Sequence, residues 1–319
     1  MRVLSTVPLP MAASKLLEQY ADLRISDHGV PCPKDTLIRE LSTADAVIAD
    51  GLTRFDKEVL DASPRLKIIA RYGVGYDNVD VSAATSKGIY VTFTPGVLSD
   101  AVAELTIGLM ICLARKIPAA IDYVRSGSWK DGLHPFPLGY DLCAKTLGIV
   151  GLGRIGEEVA MRANAFKMRL LYHDRVRKPD LEEAYGIVFV TLEEVLKRSD
   201  VVTLHLPLSP ETERLIGMRE LRMMKRTAYL INTSRGGVVD QQALTQAVKE
   251  GTIAGAALDV LETEPIPLND PIRNLDNVII VPHIGSATVE TRNRMALTAA
   301  EDVIRVLKGE KPINILNLT

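Results

Sequence analysis

The chain has 319 residues, room for two domains at about 100–200 residues each, with a sizeable core in both. Its composition, 47% apolar and 24% charged, is that of an ordinary globular protein, and a net charge of -2 offers no basic excess to grip a phosphate backbone, so no nucleic-acid partner is expected. Three cysteines (Cys32, Cys112, Cys143) without metal-ligand spacing, no signal-peptide layout, and no apolar run near the ~20 residues of a membrane span point to a metal-free protein of a reducing, cytoplasmic setting with no membrane partner.

Residues 1–98 alternate short apolar runs with amphipathic ones. Strands are expected at 2–7, 23–26, 46–49, 67–70 and 89–92, and helices at 12–20, 35–41, 57–62 and 81–87. That alternation implies a parallel sheet with helices on its faces. A long helix should run over 100–126, capped by Ser99 or Asp100 and broken near Pro118. The apolar stretch 101–114, interrupted by Glu104, makes it a core helix. A polar, proline-bearing loop follows over 127–141.

A second α/β series starts at Thr146. Strands fit 146–150, 169–173, 201–204, 228–231, 255–258 and 278–281; helices fit 154–165, 192–197, 219–224, 241–250 and 289–307. The first strand leads into Gly151-Leu-Gly-Arg-Ile-Gly156, a G-x-G-x-x-G spacing in the strand–turn–helix context of a dinucleotide fingerprint. The first glycine permits the turn, the second lets a pyrophosphate approach, and the third lets helix and strand pack closely. The second strand ends at Asp174, 18 residues after Gly156. A carboxylate there bonds ribose hydroxyls and repels a 2′-phosphate, so NAD is expected over NADP, although Arg175, Arg177 and Lys178 follow it.

In doubly wound sheets, ligands sit beyond the carboxyl ends of the strands. Three loops in such positions carry reactive side chains. Asn232-Thr-Ser-Arg-Gly-Gly237 offers Arg235, whose planar fork suits a carboxylate. The next loop offers Asp259, Glu262 and Glu264, and the last offers His283, a side chain able to exchange a proton near neutrality. His173 and His205 also end strands, but on segments expected near an adenosine; His28 and His134 lie in loops. A keto acid reduction needs this set: an arginine to hold the carboxylate and polarise the carbonyl, a histidine to supply the proton, and a carboxylate to orient the histidine.

On these motifs, with Leu204-His-Leu-Pro-Leu, Ala257-Leu-Asp-Val, Glu264-Pro265 and Pro282-His-Ile-Gly285, the sequence resembles the D-isomer-specific 2-hydroxyacid dehydrogenases over nearly its whole length. The resemblance implies an α/β fold of two doubly wound domains. A Rossmann NAD-binding domain (99–286) is inserted in a flavodoxin-like substrate-binding domain (1–98 plus 287–319). It implies Arg235, Glu264 and His283 as catalytic residues. It places NAD on Gly151, Gly153, Arg154, Ile155, Gly156 and Asp174, with Leu206, Pro207 and Thr212 beside it. Thr233, Ser234, Asp259 and Gly285 complete the cofactor set, Asp259 by the nicotinamide carboxamide. Substrate is implied at Arg235 and His283 and at a first-domain loop, Arg71-Tyr-Gly-Val-Gly-Tyr-Asp77, where Arg71, Gly73, Val74 and Gly75 take part and backbone amides form a nest for the carboxylate. A homodimer is implied, with the helix after residue 98 at its interface and the segment Ser128-Trp-Lys-Asp-Gly-Leu-His-Pro as an arm that carries Trp129 to the partner.

Two branches of the family compete for the substrate. Gly75-Tyr-Asp-Asn, the Trp129 arm, Leu138-Gly-Tyr-Asp and Lys308-Gly-Glu-Lys-Pro resemble glyoxylate/hydroxypyruvate reductases. Ala70-Arg71-x-Gly-x-Gly, Glu104-Leu-Thr and Cys112-Leu-Ala-Arg-Lys-Ile-Pro resemble phosphoglycerate dehydrogenases, in which position 71 would hold the substrate phosphate; no regulatory extension is expected beyond residue 319. Phosphite dehydrogenases are similar too, but carry a lysine where this chain has Val74. The alternative to an enzyme is a dinucleotide-sensing binding protein, like the corepressors of the same fold.

Overall fold

The computed structural model describes residues 1–130, 132 and 136–318. The chain divides into two compact units, Met1–Leu98 with Ser286–Thr319, and Ser99–Gly285. The predicted loop residues 131 and 133–135, including His134 and part of the proposed arm, lie outside the described residues.

The first unit holds β1 (Arg2–Ser5), α1 (Met11–Glu18), β2 (Asp22–Ile25), α2 (Lys34–Leu41), β3 (Ala46–Ala49), α3 (Lys57–Asp61), β4 (Ile68–Arg71), α4 (Val81–Ser86) and β5 (Tyr90–Thr92). Its sheet is wholly parallel, in the order β2-β1-β3-β4-β5, the flavodoxin-like arrangement. The central strand β3 is apolar throughout and β4 is apolar up to its last residue, Arg71, because helices cover both faces, and every residue of both is buried. Edge strand β2 is mostly exposed.

The second unit opens with α5 (Ser99–Arg115) and α6 (Ile117–Arg125). The helix breaks at Lys116, which adopts a left-handed φ of 52°, two residues before the expected break at Pro118; Pro118 instead occupies the first turn of α6, where its missing N–H costs nothing. The α/β series runs β6 (Thr146–Val150), α7 (Arg154–Ala165), β7 (Arg169–His173), α8 (Pro179–Tyr185), β8 (Val188–Phe189), α9 (Leu192–Arg198), β9 (Val201–Leu204), α10 (Met218–Met223), β10 (Tyr229–Asn232), α11 (Gln241–Lys249), β11 (Gly255–Leu258) and β12 (Val278–Ile280). Its parallel sheet has the order β12-β11-β10-β9-β6-β7-β8, a Rossmann sheet with one further strand. The strand order reverses between β6 and β9, which marks the crevice for a ligand. Elements α8 and β8 escaped the sequence reading: a two-residue exposed strand leaves no periodicity to detect.

The last helix, α12 (Val289–Leu307), belongs to the first unit. The chain beyond it returns to the sheet: Leu316 N–H donates to the Val91 carbonyl (2.8 Å), and Asn317 Oδ1 accepts from Val91 N–H (2.9 Å). Asp302, buried on α12, fastens this return by accepting from Ile313 N–H (2.7 Å) and Asn314 Nδ2 (3.0 Å). Bonds to a charged acceptor contribute about 1.5–3 kcal/mol each, and their loss here strands two donors. Asp302→Ala is therefore expected to destabilise the protein by about 2–4 kcal/mol, read as a lower midpoint in thermal or urea unfolding; an unchanged midpoint refutes the fastening role.

Candidate active site

Strands β10, β11 and β12 are hydrogen-bonded neighbours, and their register sets Asn232, Leu258 and Ile280 abreast at the carboxyl edge. The three loops that leave this edge therefore start side by side. In the first, Asn232 is buried and acts as a clamp. Its Oδ1 accepts from Ser234 N–H (3.0 Å) and Ser234 Oγ (2.8 Å), and its Nδ2 donates to the Arg235 carbonyl (2.8 Å). Sequence reading missed this role; the signal was an Asx-type residue ending a strand two positions before a polar loop. Thr233 Oγ1 is 3.0 Å from Thr106 Oγ1 on α5, which fixes the loop from behind. Half-buried Arg235 donates from Nη1 to the Ser234 carbonyl (2.8 Å). At Gly236 a side chain is impossible: a Cβ would overlap the Leu261 backbone, so this glycine lets the first loop lie against the second.

The second loop carries three acids with different partners. Asp259 is 2% exposed; Oδ1 accepts from Ile284 N–H (2.6 Å) and Oδ2 from Gly285 N–H (2.8 Å). Burial pushes its carboxyl above the ordinary range, while these amides and the nearby imidazole pull it back. Glu262 faces Arg214 at 3.6 Å. Glu264 holds Leu261 N–H with Oε1 (3.0 Å) and offers Oε2 to His283 Nδ1 at 2.7 Å.

His283 heads the third loop in a left-handed conformation, φ 53°, a strained setting for a non-glycine residue. Its N–H donates to the Asp259 carbonyl (3.0 Å), which holds the backbone there. Its side chain is 38% exposed against 15% for Glu264, so the imidazole opens outward while its partner stays inside. With Nδ1 committed to Glu264, Nε2 is the ring nitrogen left to meet a reactant.

On the other side of the strand reversal, Gly151 turns the chain out of β6 with φ 92°, and Gly153 caps α7. A Cβ at Gly156 would overlap the Gly151 carbonyl oxygen, so helix and turn touch only through glycine. Gly153 is exposed with open space where a Cβ would lie; Arg154 and Ile155 follow in the first turn, where helix amides lack intrahelical acceptors. This cradle fits a pyrophosphate. Asp174 accepts from Leu152 N–H (2.8 Å) and Arg175 N–H (2.6 Å), one amide per oxygen, which leaves lone pairs for ribose hydroxyls. Arg177 is paired bidentately with Glu182, at 2.7 to 3.1 Å, and is thereby held away from a 2′-phosphate role.

After β9, Leu206 and Pro207 lead into a turn closed by Thr212, whose Oγ1 donates to the Pro207 carbonyl (2.6 Å) and accepts from Ser209 N–H (2.8 Å). His205, just before them, turns its imidazole into the protein. Its Nε2 shares a 3.0 Å hydrogen bond with Thr203 Oγ1, and its Nδ1 is sealed from solvent without a partner.

At the head of the loop 71–77 of the first unit, Arg71 points inward. Arg71 is 1% exposed and heads the largest fully buried side chains. Its Nε donates to the Gly75 carbonyl (3.0 Å) and its Nη1 to the carbonyls of Ala49 (3.0 Å) and Asp50. Gly73 accepts from Thr94 N–H (3.0 Å), and Gly73, Val74 and Gly75 are all half-buried.

The family model for "D-isomer specific 2-hydroxyacid dehydrogenase, NAD binding domain" matches residues 107–285. The chain belongs to this family. A glyoxylate reductase of Korarchaeum cryptofilum is 48% identical over 99% of this chain and 96% of its own length. One of Thermococcus litoralis is 48% identical over the same shares. The crystal structure of the TT0316 protein from Thermus thermophilus superposes with a TM-score of 0.92 at 46% identity, covering 99% of this chain and all of that one. The chain is thus an NAD-dependent oxidoreductase of 2-keto and D-2-hydroxy acids, and the corepressor-like alternative is not favoured. No helix among the described residues is long and apolar enough to cross a membrane.

Burial pushes the His205 imidazole down from 6.5 to about 3. The unfolded chain therefore binds a proton that the folded chain refuses, and the contribution of this group to stability is present above about 6.5 and is lost as pH falls toward 3. In His205→Gln the fall of the melting temperature between about pH 6.5 and 4 is expected to be shallower than in the wild type. Parallel profiles mean that the imidazole is not held neutral.

Proposed function

We propose that the protein reduces glyoxylate and hydroxypyruvate with NADH, and that Arg235, Glu264 and His283 carry the chemistry. The observation that supports this most is the 2.7 Å bond between His283 Nδ1 and Glu264 Oε2 on loops beside the one that carries Arg235. Held by the glycine turn and Asp174, NADH would supply the hydride that C2 of the keto acid accepts. Arg235 presents its guanidinium to the carboxylate and carbonyl of the substrate, and polarises the carbonyl. His283 Nε2 gives a proton to the oxygen as negative charge develops there, and Glu264 fixes the ring so that Nε2 is the nitrogen presented. Asp259 is a positioning residue: its bonds to Ile284 and Gly285 hold the backbone beside His283. The first unit is read as the substrate-binding domain, with the amides of Gly73, Val74 and Gly75 as its carboxylate nest.

Substrate choice follows from Arg71. A guanidinium that is 1% exposed and committed to three carbonyls gives up all three hydrogen bonds if it swings out to a phosphate. This argues against 3-phosphohydroxypyruvate and gives Arg71 the task of shaping the loop. The full-length likeness to glyoxylate reductases supports the same choice. Asp174 and the Arg177–Glu182 pair support NAD over NADP.

A homodimer completes the reading. Helix α6 has no buried residue, yet it exposes Ile121 and Val124, and Trp129, Leu138 and Tyr140 are exposed nearby in sequence. A second copy accounts for such a surface. Light scattering should give twice the chain mass of 34.9 kDa; a monomer at micromolar concentration removes this part of the reading.

Steady-state kinetics test the chemistry. With NADH, kcat/KM should be higher for glyoxylate and hydroxypyruvate than for 3-phosphohydroxypyruvate, and lower with NADPH. His283→Ala should lose about 100-fold or more in kcat. Preference for the phosphorylated substrate overturns the role of Arg71, and near-normal turnover of His283→Ala overturns the proton donor.

A further inference from the structure

The sequence shows no metal motif, yet the fold gathers one. Asp27 and His28 lie in the turn that leaves edge strand β2, and Glu40 lies in the last turn of α2. A carboxylate oxygen of Asp27, a ring nitrogen of His28 and a carboxylate oxygen of Glu40 all fall within 4.8 Å of one another. Among the described residues this is the one such group of three. Asp27 and His28 follow the carboxyl end of β2, and Glu40 lies where α2 leads back to β3.

The decisive observation is the state of Glu40. Its side chain is only 4% exposed, and its Oε2 is buried with no hydrogen-bond partner. The nearest cation, Arg24, stands 4.0 Å from Oε1, at the outer limit of an ion pair. A buried carboxylate is costly unless it is paired or coordinates a cation. Oxygen Oε2 is unpaired, and Glu40 joins the group that contains His28 and Asp27.

We propose that Asp27, His28 and Glu40 form a site for one divalent transition-metal ion of the Zn2+ or Co2+ kind. The donor set, one imidazole and two carboxylates, suits such ions, and soft sulfur ligands are not required. His28 Nε2 and Asp27 Oδ1 are 3.2 Å apart. Two donors at that spacing, each at a metal–ligand distance of about 2.1 Å, subtend about 100° at the ion, between octahedral and tetrahedral angles. Glu40 closes the third position. Asp27 and His28 are 84% and 42% exposed, so their side chains are free to close the remaining gap. Water fills the other positions. The ion ties the segment after β2 to helix α2 and compensates the charge of the buried Glu40 carboxylate.

The competing explanation is an Asp27–His28 ion pair that needs no metal. The full-length protein, stripped with chelator, is titrated with ZnCl2 by calorimetry, and with CoCl2 by visible absorption. His28→Ala and Asp27→Asn, both at exposed turn positions, are titrated in parallel. The wild type should bind one equivalent more than either variant, with a ligand-field spectrum that the variants lack. Loss of one ligand should weaken that equivalent by at least the about 10–100-fold seen for mere outer-shell changes. Zinc should also raise the melting temperature of the wild type in a concentration-dependent way, and leave that of His28→Ala unmoved. Chelator-treated His28→Ala should keep wild-type reductase kinetics, which separates this site from the proposed chemistry. Equal stoichiometry, affinity and spectra in wild type and variants overturn the site and leave the plain ion pair.

Discussion

The pairing register of three strands governs the whole site. Asn232, Leu258 and Ile280 stand abreast because β10, β11 and β12 pair in parallel without offset. From that line Arg235 is three residues on, Glu264 six and His283 three. Side chains alternate faces along a strand, so a slip of one residue in any pairing would reverse which face each loop leaves from. The register is locked by burial, since β10 and β11 are almost wholly interior. Packing then becomes chemistry through Gly236, which lets the first two loops touch at backbone distance.

Within each unit, carboxylates act as fasteners for backbone. Asp174 ties the glycine turn to the end of β7, Asp259 ties the His283 loop to β11, and Asp302 ties the chain terminus to α12. In the first unit Asp50 does the same for the turn after β3, accepting from Leu52 and Thr53. A carboxylate offers about four acceptor sites, and charge makes each bond shorter and stronger than a neutral one. Loops otherwise free to open are thereby held in one geometry, and function needs that from residues outside regular structure. Arg71 is the cationic counterpart, a buried fork that binds carbonyls of two chain segments.

Most elements were legible because parallel strands covered on both faces read as apolar runs, and the glycine spacing marked where the second series begins; the strand order came only with the structure. The break at Lys116 was not, since a left-handed lysine has no compositional mark, whereas Pro118 advertised a break and took a position in the first turn instead. Arg71 misled for a related reason. A motif shows that an arginine ends β4, but not whether its guanidinium points outward or in to carbonyls; burial decides that. Asp27, His28 and Glu40 were silent because a turn and a helix bring them together. His205 was placed on the correct strand end, but its solvent-sealed Nδ1 depends on packing from elsewhere in the fold.

The choice of Glu264 as partner of His283 can be followed by elimination. Three acids leave β11 within six residues, and all are within reach of the loop that carries the histidine in sequence terms. Asp259 is spent, with one oxygen on Ile284 N–H and the other on Gly285 N–H, and it is buried where ionisation is disfavoured. Glu262 is turned to Arg214 and to the amide of Gln241. Glu264 uses a single oxygen to hold Leu261 N–H, and this contact aims the second oxygen at Nδ1. The loop thus orients its acid with one hydrogen bond and orients the imidazole with the next. A sequence shows three equivalent carboxylates here. The backbone amides that surround them make them unequal, and only one is left facing a ring that can pass on a proton.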